Sequence, residues 1–196
     1  MGTQRRKPAP RRARDEVLAA AMTLFVERGY FGTSVHDIVG ASNVSIGSIY
    51  HHFGDKAGIA RALYAEQTAR MDALISGIAA RHRGAAERCR AIVAALFDLT
   101  EDDPVSMAFM LHVKHREFIP DEKPVCSSKP FESMRRIVLE GIARGEIRSI
   151  DVMVASTCLF GGALRMITAR LDGVLPRPLP DYLDEVWDSS WRAVAA

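Results

Sequence analysis

Residues 33–56 constrain the fold of this chain more tightly than any other segment, because helix starts and stops follow one another there at short intervals. Ser34 precedes Asp37 by three positions, which resembles a capping box with Asp in place of Glu. Asn43 suits a turn that needs a left-handed residue, and Ser45 is suited to cap the next helix. The spacing predicts two short helices joined by a tight turn.

The rest of the chain also follows helical periodicity, and no segment has the alternation typical of a strand. We therefore predict an all-α fold of about nine helices. Helices are expected at about residues 12–28, 35–41, 45–53, 56–80, 131–144, 151–172 and 181–194, with others around 89–97 and from 104. Gly54 is expected to end the third helix, Asp55 to cap the fourth, and the proline-containing residues 119–130 to form a loop.

These elements suggest a division of the chain into three parts. Residues 1–11 are rich in Arg and Lys and contain two prolines, which is typical of a flexible basic arm. Six basic side chains and no acidic one precede residue 15, and such an arm is suited to contact phosphates. Residues 12–55 form a predicted helix-turn-helix domain, and residues 56–196 a predicted helical domain.

Composition excludes several classes of protein. No run of 18 uncharged apolar residues occurs, so we predict no membrane association and a cytoplasmic location. Cys89, Cys126 and Cys158 are widely spaced, which favours reduced thiols over a metal site or a disulfide framework. No nucleophile elbow, phosphate-binding loop or zinc-protease motif occurs, and we predict neither an enzyme nor a cofactor.

One set of residues resembles the DNA-binding signature of TetR-type transcriptional regulators. The set comprises Phe25, Gly29-Tyr30, Thr33-Ser34-Val35, Asp37-Ile38, Val44-Ser45, Gly47-Ser48-Ile49-Tyr50, His52-Phe53 and Lys56. Asn43 departs from the glycine usual in the family, and Val39 departs from the common alanine; both are compatible with the fold. The resemblance covers residues 12–62. It implies an N-terminal three-helix DNA-binding domain and a C-terminal helical domain for effector binding and dimerisation.

The helix after Ser45 is the predicted recognition helix, since residues near the N-terminus of such a helix read base edges in the major groove. Small side chains there allow close approach, and an apolar one can meet a thymine methyl group. The predicted DNA-binding residues are Thr33, Ser34, Ser45, Ile46, Gly47, Ser48, Tyr50, His51, His52 and Lys56.

Three of these residues have alternative interpretations. Ile46 is equally typical of an ordinary exposed residue, and Tyr50 of a core aromatic between helices. Thr33 is expected either to bind a phosphate or to make a local turn hydrogen bond. Lys56 follows the cap of the fourth helix, where its charge and the helix N-terminus suit a phosphate.

A palindromic operator requires two such domains, and therefore a homodimer. The last two long helices are apolar over much of their circumference, and Gly161-Gly162 permits close helix packing. The resemblance also implies a four-helix interface built from two copies of these helices. The predicted interface residues are Leu159, Ala163, Met166, Trp187 and Trp191. The alternative is that the eighth helix is simply central in a monomer.

Methionine and aromatic side chains concentrate in the helical domain, where they suit either an apolar ligand pocket or an ordinary core. The resemblance implies a small apolar or amphipathic effector that releases the DNA. The predicted pocket residues are Phe97, Met107, Met110, Leu111, His115, Phe131, Met134 and Phe160. His112 and His115 share a helical face, but they lack a third ligand, so we predict no metal site.

Two other function classes remain open at this point. The first is a small-molecule carrier or adaptor that uses its helix-turn-helix for protein contact. The second is an all-helical enzyme, for which the sequence offers no candidate nucleophile or metal set.

Overall fold

A computed structural model of the chain describes residues 10–114 and 127–196. These residues form an all-α fold, and their only β-type pairing is an isolated antiparallel bridge between Ile147 and Ala195. Nine α-helices are found in this part of the chain, with a short 3-10 helix at Leu179–Tyr182. They are α1 (Pro10–Arg28), α2 (Val35–Ser42), α3 (Ile46–Phe53), α4 (Lys56–Arg81), α5 (Ala85–Asp102), α6 (Pro104–His112), α7 (Lys129–Ala143), α8 (Val152–Leu171) and α9 (Leu183–Arg192).

The observed helix bounds differ from the predicted ones mainly at proline residues. The predicted loop was expected to extend to residue 130, but α7 begins at Lys129, because Pro130 is well tolerated in the first turn of a helix. The ninth helix begins later than expected, since the 3-10 helix occupies residues 179–182. Most of the predicted loop and the basic arm up to residue 9 lie outside the described residues, as does Cys126.

The described residues separate into two compact units, one containing residues 10–66 and 113–114 and the other residues 67–112 and 127–196. Helix α4 is uninterrupted and contributes to both units. The predicted domain limits after residues 11 and 55 stay predictions.

In the first unit, α1 packs against α2 and α3 through a small apolar core. Phe25 from α1, Ile38 from α2 and Ile49 from α3 are almost fully buried. Val44, in the turn between α2 and α3, is buried as well, as expected for a residue that fills the space between these helices. This core fixes which side of α3 faces the protein.

The ends of α2 and α3 follow the predicted capping residues. The Ser34 hydroxyl accepts a hydrogen bond from the Asp37 N–H at 3.2 Å, and the Asp37 carboxylate accepts one from the Ser34 N–H at 2.8 Å. Asn43 ends α2 in the left-handed conformation, with φ 56°, and Ser45 caps α3. Gly54 has a φ of 77° and ends α3. The orientation of α3 is thus set by local hydrogen bonds as well as by the core.

The second unit is built around α8, which packs against α5, α6, α7 and α9. Its length and apolar composition would also suit a membrane span. Here, however, Arg170 on α8 forms a bidentate ion pair with Glu101 on α5, with N···O distances of 2.9 Å. The Glu101 carboxylate also accepts the Leu179 N–H, and so joins α5, α8 and the 3-10 helix.

The predicted dimer residues do not all lie on the outside of this unit. Leu159, Ala163 and Trp187 are buried in its core, so their assignment to a subunit interface was wrong. The cause is that α8 is apolar on several sides, and sequence alone did not distinguish the side facing the core. Met166 and Trp191 are half-buried, and Trp191 stacks on Trp187 at a centroid distance of 5.4 Å.

Candidate nucleic-acid interface

One side of α3 is buried in the first unit and the opposite side is exposed. Ile49 faces the core, whereas Ile46 and Gly47 at the helix start are exposed. Ser45 is also exposed, and its hydroxyl accepts the Ser48 N–H at 3.4 Å. The first turn of α3 therefore presents small side chains and one apolar side chain on a fixed backbone, which suits insertion into a major groove.

Neither packing nor backbone conformation explains why residue 47 is a glycine. A Cβ built at this position meets nothing within 4 Å, and its backbone is helical with a negative φ. Glycine weakens the interior of a helix relative to alanine. The space in front of Gly47 is open, so a bound molecule can approach the α3 backbone more closely here than elsewhere on the helix.

The aromatic residues of α3 extend the same surface. The side chain of Tyr50 is 48% exposed, which excludes its alternative role as a core aromatic. His51 and His52 are exposed in the last turn, and their rings meet edge to face at a centroid distance of 5.4 Å. The phenol and imidazole groups are hydrogen-bonding groups suited to phosphate or base edges.

Thr33 does not belong to this exposed surface. It is 1% exposed, and its hydroxyl lies 2.9 Å from the Gly29 carbonyl oxygen and 3.2 Å from that of Leu24. Of the two interpretations of Thr33, the local turn hydrogen bond is the one observed. A phosphate contact through its side chain was the wrong expectation, because the hydroxyl is buried and already donates to the protein.

Lys56 is bound to the protein as well. Its Nζ donates to the carbonyl oxygens of Tyr30 at 2.9 Å and Thr33 at 2.8 Å, and lies 4.2 Å from the Tyr30 ring centroid. Burial lowers the pKa of Lys56 and is the main cause of the raised pKa of Tyr30. The Lys56 side chain thus clamps the α1–α2 loop, and we call these contacts of Lys56 the loop clamp; its predicted phosphate contact stays a prediction.

Ser34, at the start of α2, is exposed and also takes part in the helix cap. Its side chain is exposed, as a DNA contact requires, but its hydroxyl is also 2.6 Å from the Asp37 carboxylate. Hydrogen bonds from Ser34 lower the pKa of Asp37, so this carboxylate is ionised at neutral pH. The basic residues described near the arm have acidic partners too: Arg12 pairs with Glu16, and Arg14 with Glu66.

The predicted effector residues lie in the second unit, and most of them line cavities there. Met107, Met110, Leu111, Phe131 and Met134 line one small apolar cavity, together with residues from α4, α5 and α8. Phe160 lines a neighbouring cavity between α7 and α8, whereas Phe97 is fully buried in the core and lines neither. His115 lies outside the described residues.

The titratable groups described in the second unit do not gather into a metal site. Within residues 10–114 and 127–196, no three His, Cys, Asp or Glu side chains come together as a metal site requires. His112 lies 3.8 Å from the Asp172 carboxylate. Burial raises the pKa of Cys89 to about 12, so this thiol remains protonated and inert at neutral pH.

Comparison with known proteins agrees with this geometry. Residues 17–63, which include α2, α3 and the loop clamp, match the family described as "Bacterial regulatory proteins, tetR family". The repressor AcnR of Corynebacterium glutamicum is 42% identical to the chain over 67 residues, which are 34% of this chain and 36% of AcnR.

Residues 17–63 thus carry the N-terminal domain of the tetR family of bacterial regulatory proteins. The predicted resemblance is thereby confirmed. The repressor KstR2 of Mycolicibacterium smegmatis is also similar, with 46% identity over 50 residues, 26% of this chain and 23% of KstR2. The match thus spans about a third or less of the length of these curated TetR-family relatives.

Solved structures extend the likeness to nearly the whole chain. The fatty acid degradation regulator FadR of Bacillus halodurans has a TM-score of 0.77 at 20% identity, covering 90% of this chain and 97% of FadR. FadR of Bacillus subtilis, solved with stearoyl-CoA, has a TM-score of 0.76 at 21% identity, covering 90% and 96%. The predicted all-α fold, with an N-terminal helix-turn-helix and a C-terminal helical domain, is confirmed.

Several polar residues that contact Lys56 or line cavities were not predicted from the sequence. Tyr30 was recognised as part of the motif but not as the partner of Lys56. Gln67 and Arg70 of α4 line a cavity in the second unit, and Ser128 lines the small apolar cavity. The spacing of Gln67 and Arg70, three residues apart on a mainly apolar face, was the available signal.

The loop clamp leads to a stability prediction. Lys56→Met removes the ammonium group and leaves two carbonyl oxygens without this donor, so the free energy of unfolding should fall by about 1–3 kcal/mol. Urea titration followed by circular dichroism measures this change. Arg61→Met is the matched control, because Arg61 is an exposed cation on the same helix. Equal stabilities of the two variants would contradict a structural role for Lys56.

Proposed function

We propose that this chain is a homodimeric transcriptional repressor that binds a palindromic DNA operator and is released by a small apolar or amphipathic effector. The single observation that carries the proposal is the exposed first turn of α3, held by the caps of a TetR-type domain. The curated relatives AcnR and KstR2 are repressors, which supports this function and does not favour the carrier or adaptor alternative.

In the proposed complex, α3 lies in the major groove with its N-terminus towards the base edges. Ser45, Gly47 and Ser48 allow close approach, while Ile46 packs on a thymine methyl group. Tyr50 and His51 reach phosphate or base edges, and His52 contacts the backbone. Ser34 contacts DNA at the start of α2. In this proposal Thr33 and Lys56 act indirectly, by fixing the loop that precedes α2.

Specific affinity requires two such units on one operator, so we propose that α8 provides the subunit contact. Its outward side carries Met153 and Val154, each about half exposed, and the exposed Gly162. A glycine within a helix is unfavourable unless a neighbour packs closely against it. We propose that this outward side, with the half-buried Met166 and with Trp191 of α9, replaces the buried residues predicted from the sequence.

The effector is proposed to bind among the methionines of the second unit. The small cavity there has a volume of about 30 Å³, room for about one water molecule, so a larger ligand must displace flexible methionine side chains. Met71 and Ile75 of α4 line it, and the same helix begins at Lys56. Displacement of α4 by a ligand would therefore reach the loop clamp. The complex of Bacillus subtilis FadR with stearoyl-CoA supports an effector of amphipathic character.

We also propose that the protein is cytoplasmic and has no enzymatic activity. Both are supported by the family, whose matched members are bacterial regulators. The Arg170–Glu101 ion pair also favours a packed position for α8 over a membrane span.

The DNA contact of α3 is tested by Gly47→Ala. The added methyl group meets no protein atom and removes a helix-weakening glycine, so the free energy of unfolding should rise by about 0.5–1 kcal/mol. Operator affinity, measured by fluorescence anisotropy, should nevertheless fall about tenfold, because the methyl group occupies the space of the DNA. Gly77→Ala on α4 is the control, since its added Cβ is equally unobstructed. Unchanged affinity of Gly47→Ala would refute the close approach.

The subunit contact is tested by Val154→Asp. A carboxylate in an apolar interface costs several kcal/mol, so the variant should sediment as a monomer at concentrations where the wild type is a dimer. Val174→Asp serves as the control, because Val174 is 70% exposed but lies outside α8. A Val154→Asp variant that stays dimeric would place the interface elsewhere.

A further inference from the structure

The α1–α2 loop carries the most exposed large apolar side chain that the structure describes. Phe31 is 71% exposed, compared with 37% for Ile46 at the start of α3. Such a ring keeps a large apolar surface in water, and covering that surface with a partner is favourable. Single exposed apolar residues are common in proteins, so the meaning of Phe31 depends on how it is held and on what surrounds it.

The loop holds Phe31 in a fixed position. Its ring meets the Tyr30 ring edge to face at a centroid distance of 5.2 Å, and the Lys56 ammonium group covers the Tyr30 ring at 4.2 Å. Lys56 also binds the Tyr30 carbonyl oxygen. A Cβ at Gly32 would collide with the Arg28 carbonyl oxygen, so the loop packs tightly on the end of α1. A ring held in this way loses little conformational freedom when a partner covers it.

A cation lies at the same end of α1. Arg28 occupies the last turn of this helix, and its side chain is 54% exposed. One of its guanidinium nitrogens lies 3.8 Å from the Asp37 carboxylate, which is a long distance for an ion pair between exposed groups. Because a guanidinium has five N–H donors, Arg28 retains the capacity to bind a second anion. We call Arg28 and Phe31 together the loop patch.

The loop patch adjoins the proposed DNA interface on two sides. The exposed Ser34, which caps α2 and is a proposed DNA contact, follows the loop directly. Lys56, which holds the loop, begins α4 only three positions after α3 ends at Phe53. The loop patch thus lies where α2 begins and α3 ends. An α3 seated in a major groove would bring it to the strand that borders that groove.

The chemistry of the loop patch matches a DNA backbone. Along each strand, anionic phosphates alternate with deoxyribose rings, whose C–H groups are apolar. A guanidinium suits a phosphate oxygen, and an aromatic ring suits the face of a sugar. An acidic or purely apolar partner would be complementary to only one of the two residues. The pairing of Arg28 with Phe31 therefore favours DNA over another protein surface.

From these observations we propose that the loop patch binds the operator backbone beside the groove that α3 occupies. Arg28 binds a phosphate oxygen, and Phe31 packs on an adjoining deoxyribose. The inference rests on the proposed DNA-binding function and adds two contact residues that lie outside α2 and α3. Since both contacts are made to the backbone, they contribute affinity and position the protein without selecting bases.

Fluorescence anisotropy of the full-length protein with two duplexes tests the role of Phe31. One duplex is the operator enriched from a random library, and the other is a scrambled duplex of equal length and composition. Phe31→Ala should weaken binding of both duplexes about fivefold to tenfold and leave the ratio of the two affinities within about twofold of wild type. Phe31→Tyr keeps the ring and should bind as the wild type does. Val174→Ala, at a position 70% exposed in the second unit, is the matched control.

The dependence of affinity on salt concentration tests the role of Arg28. Each phosphate contact that is lost lowers the slope of log affinity against log salt concentration by about one, so Arg28→Gln should lower it by about two in a dimer. Phe31→Ala removes no charge and should leave the slope unchanged. Arg136→Gln, at an exposed position of α7, loses the same charge and should keep the wild-type slope.

Thermal melting shows whether these variants act through the fold instead. Each changes an exposed side chain, so each should melt within about 2 °C of the wild type. A Phe31→Ala variant that melts well below this range, or that keeps wild-type affinity for both duplexes, would overturn the proposal. Loss of affinity for the operator alone would overturn it as well, because it would indicate a base contact. An Arg28→Gln slope equal to that of Arg136→Gln would have the same consequence.

The behaviour of the wild type separates this inference from the proposed function. A wild type that selects an operator, while Phe31→Ala and Arg28→Gln bind it equally well, contradicts the loop patch alone. A wild type that binds the operator and the scrambled duplex with equal affinity contradicts the repressor. Uniformly weaker binding by Phe31→Ala would in that case leave the loop patch in place.

Discussion

The Lys56 ammonium group holds together the part of the molecule on which the proposed function depends. It joins the first turn of α4 to two carbonyl oxygens of the α1–α2 loop, and the Tyr30 ring covers it. The buried hydroxyl of Thr33 secures the same loop from the side of α1. Because α2 starts directly after this loop, these few hydrogen bonds contribute, with the apolar core of α1, α2 and α3, to the orientation of the helix-turn-helix. A partly buried cation is tolerated here because carbonyl oxygens replace part of its water.

Sequence predicted the helix-turn-helix well because its determinants are local. The capping box of Ser34 and Asp37 and the left-handed Asn43 act within a few residues, so their side-chain types are sufficient to place helix ends. For Thr33, one of the two predicted interpretations, the local hydrogen bond, is observed. The contacts of Lys56, in contrast, did not follow from neighbouring residues. Lysine is almost always exposed, and its partner Tyr30 lies 26 residues away in sequence. Whether such a side chain faces solvent or a loop carbonyl depends on packing that neighbouring residues do not determine.

The helical domain shows what helical periodicity alone does not determine. Its helices were predictable from periodicity, but α8 is apolar on several sides, and its sequence did not reveal that Leu159 and Ala163 face the core while Val154 faces outwards. Most of the predicted methionine and phenylalanine residues line cavities, but Phe97 does not, and Gln67 and Ser128 were overlooked. Both residues are buried, and burial of a polar side chain depends on packing that periodicity does not determine.

The central claim is that α3 reads DNA as one half of a symmetric pair. Selection of bound sequences from a random double-stranded DNA library tests it most directly, because no operator has to be assumed. We predict an enriched pseudo-palindrome with half-sites about one helical turn, ~34 Å, apart or a multiple of that distance. The enriched motif should be lost when Tyr50 and His51 are both replaced by alanine. Enrichment of no motif, or of the same motif by the double variant, would contradict the claim.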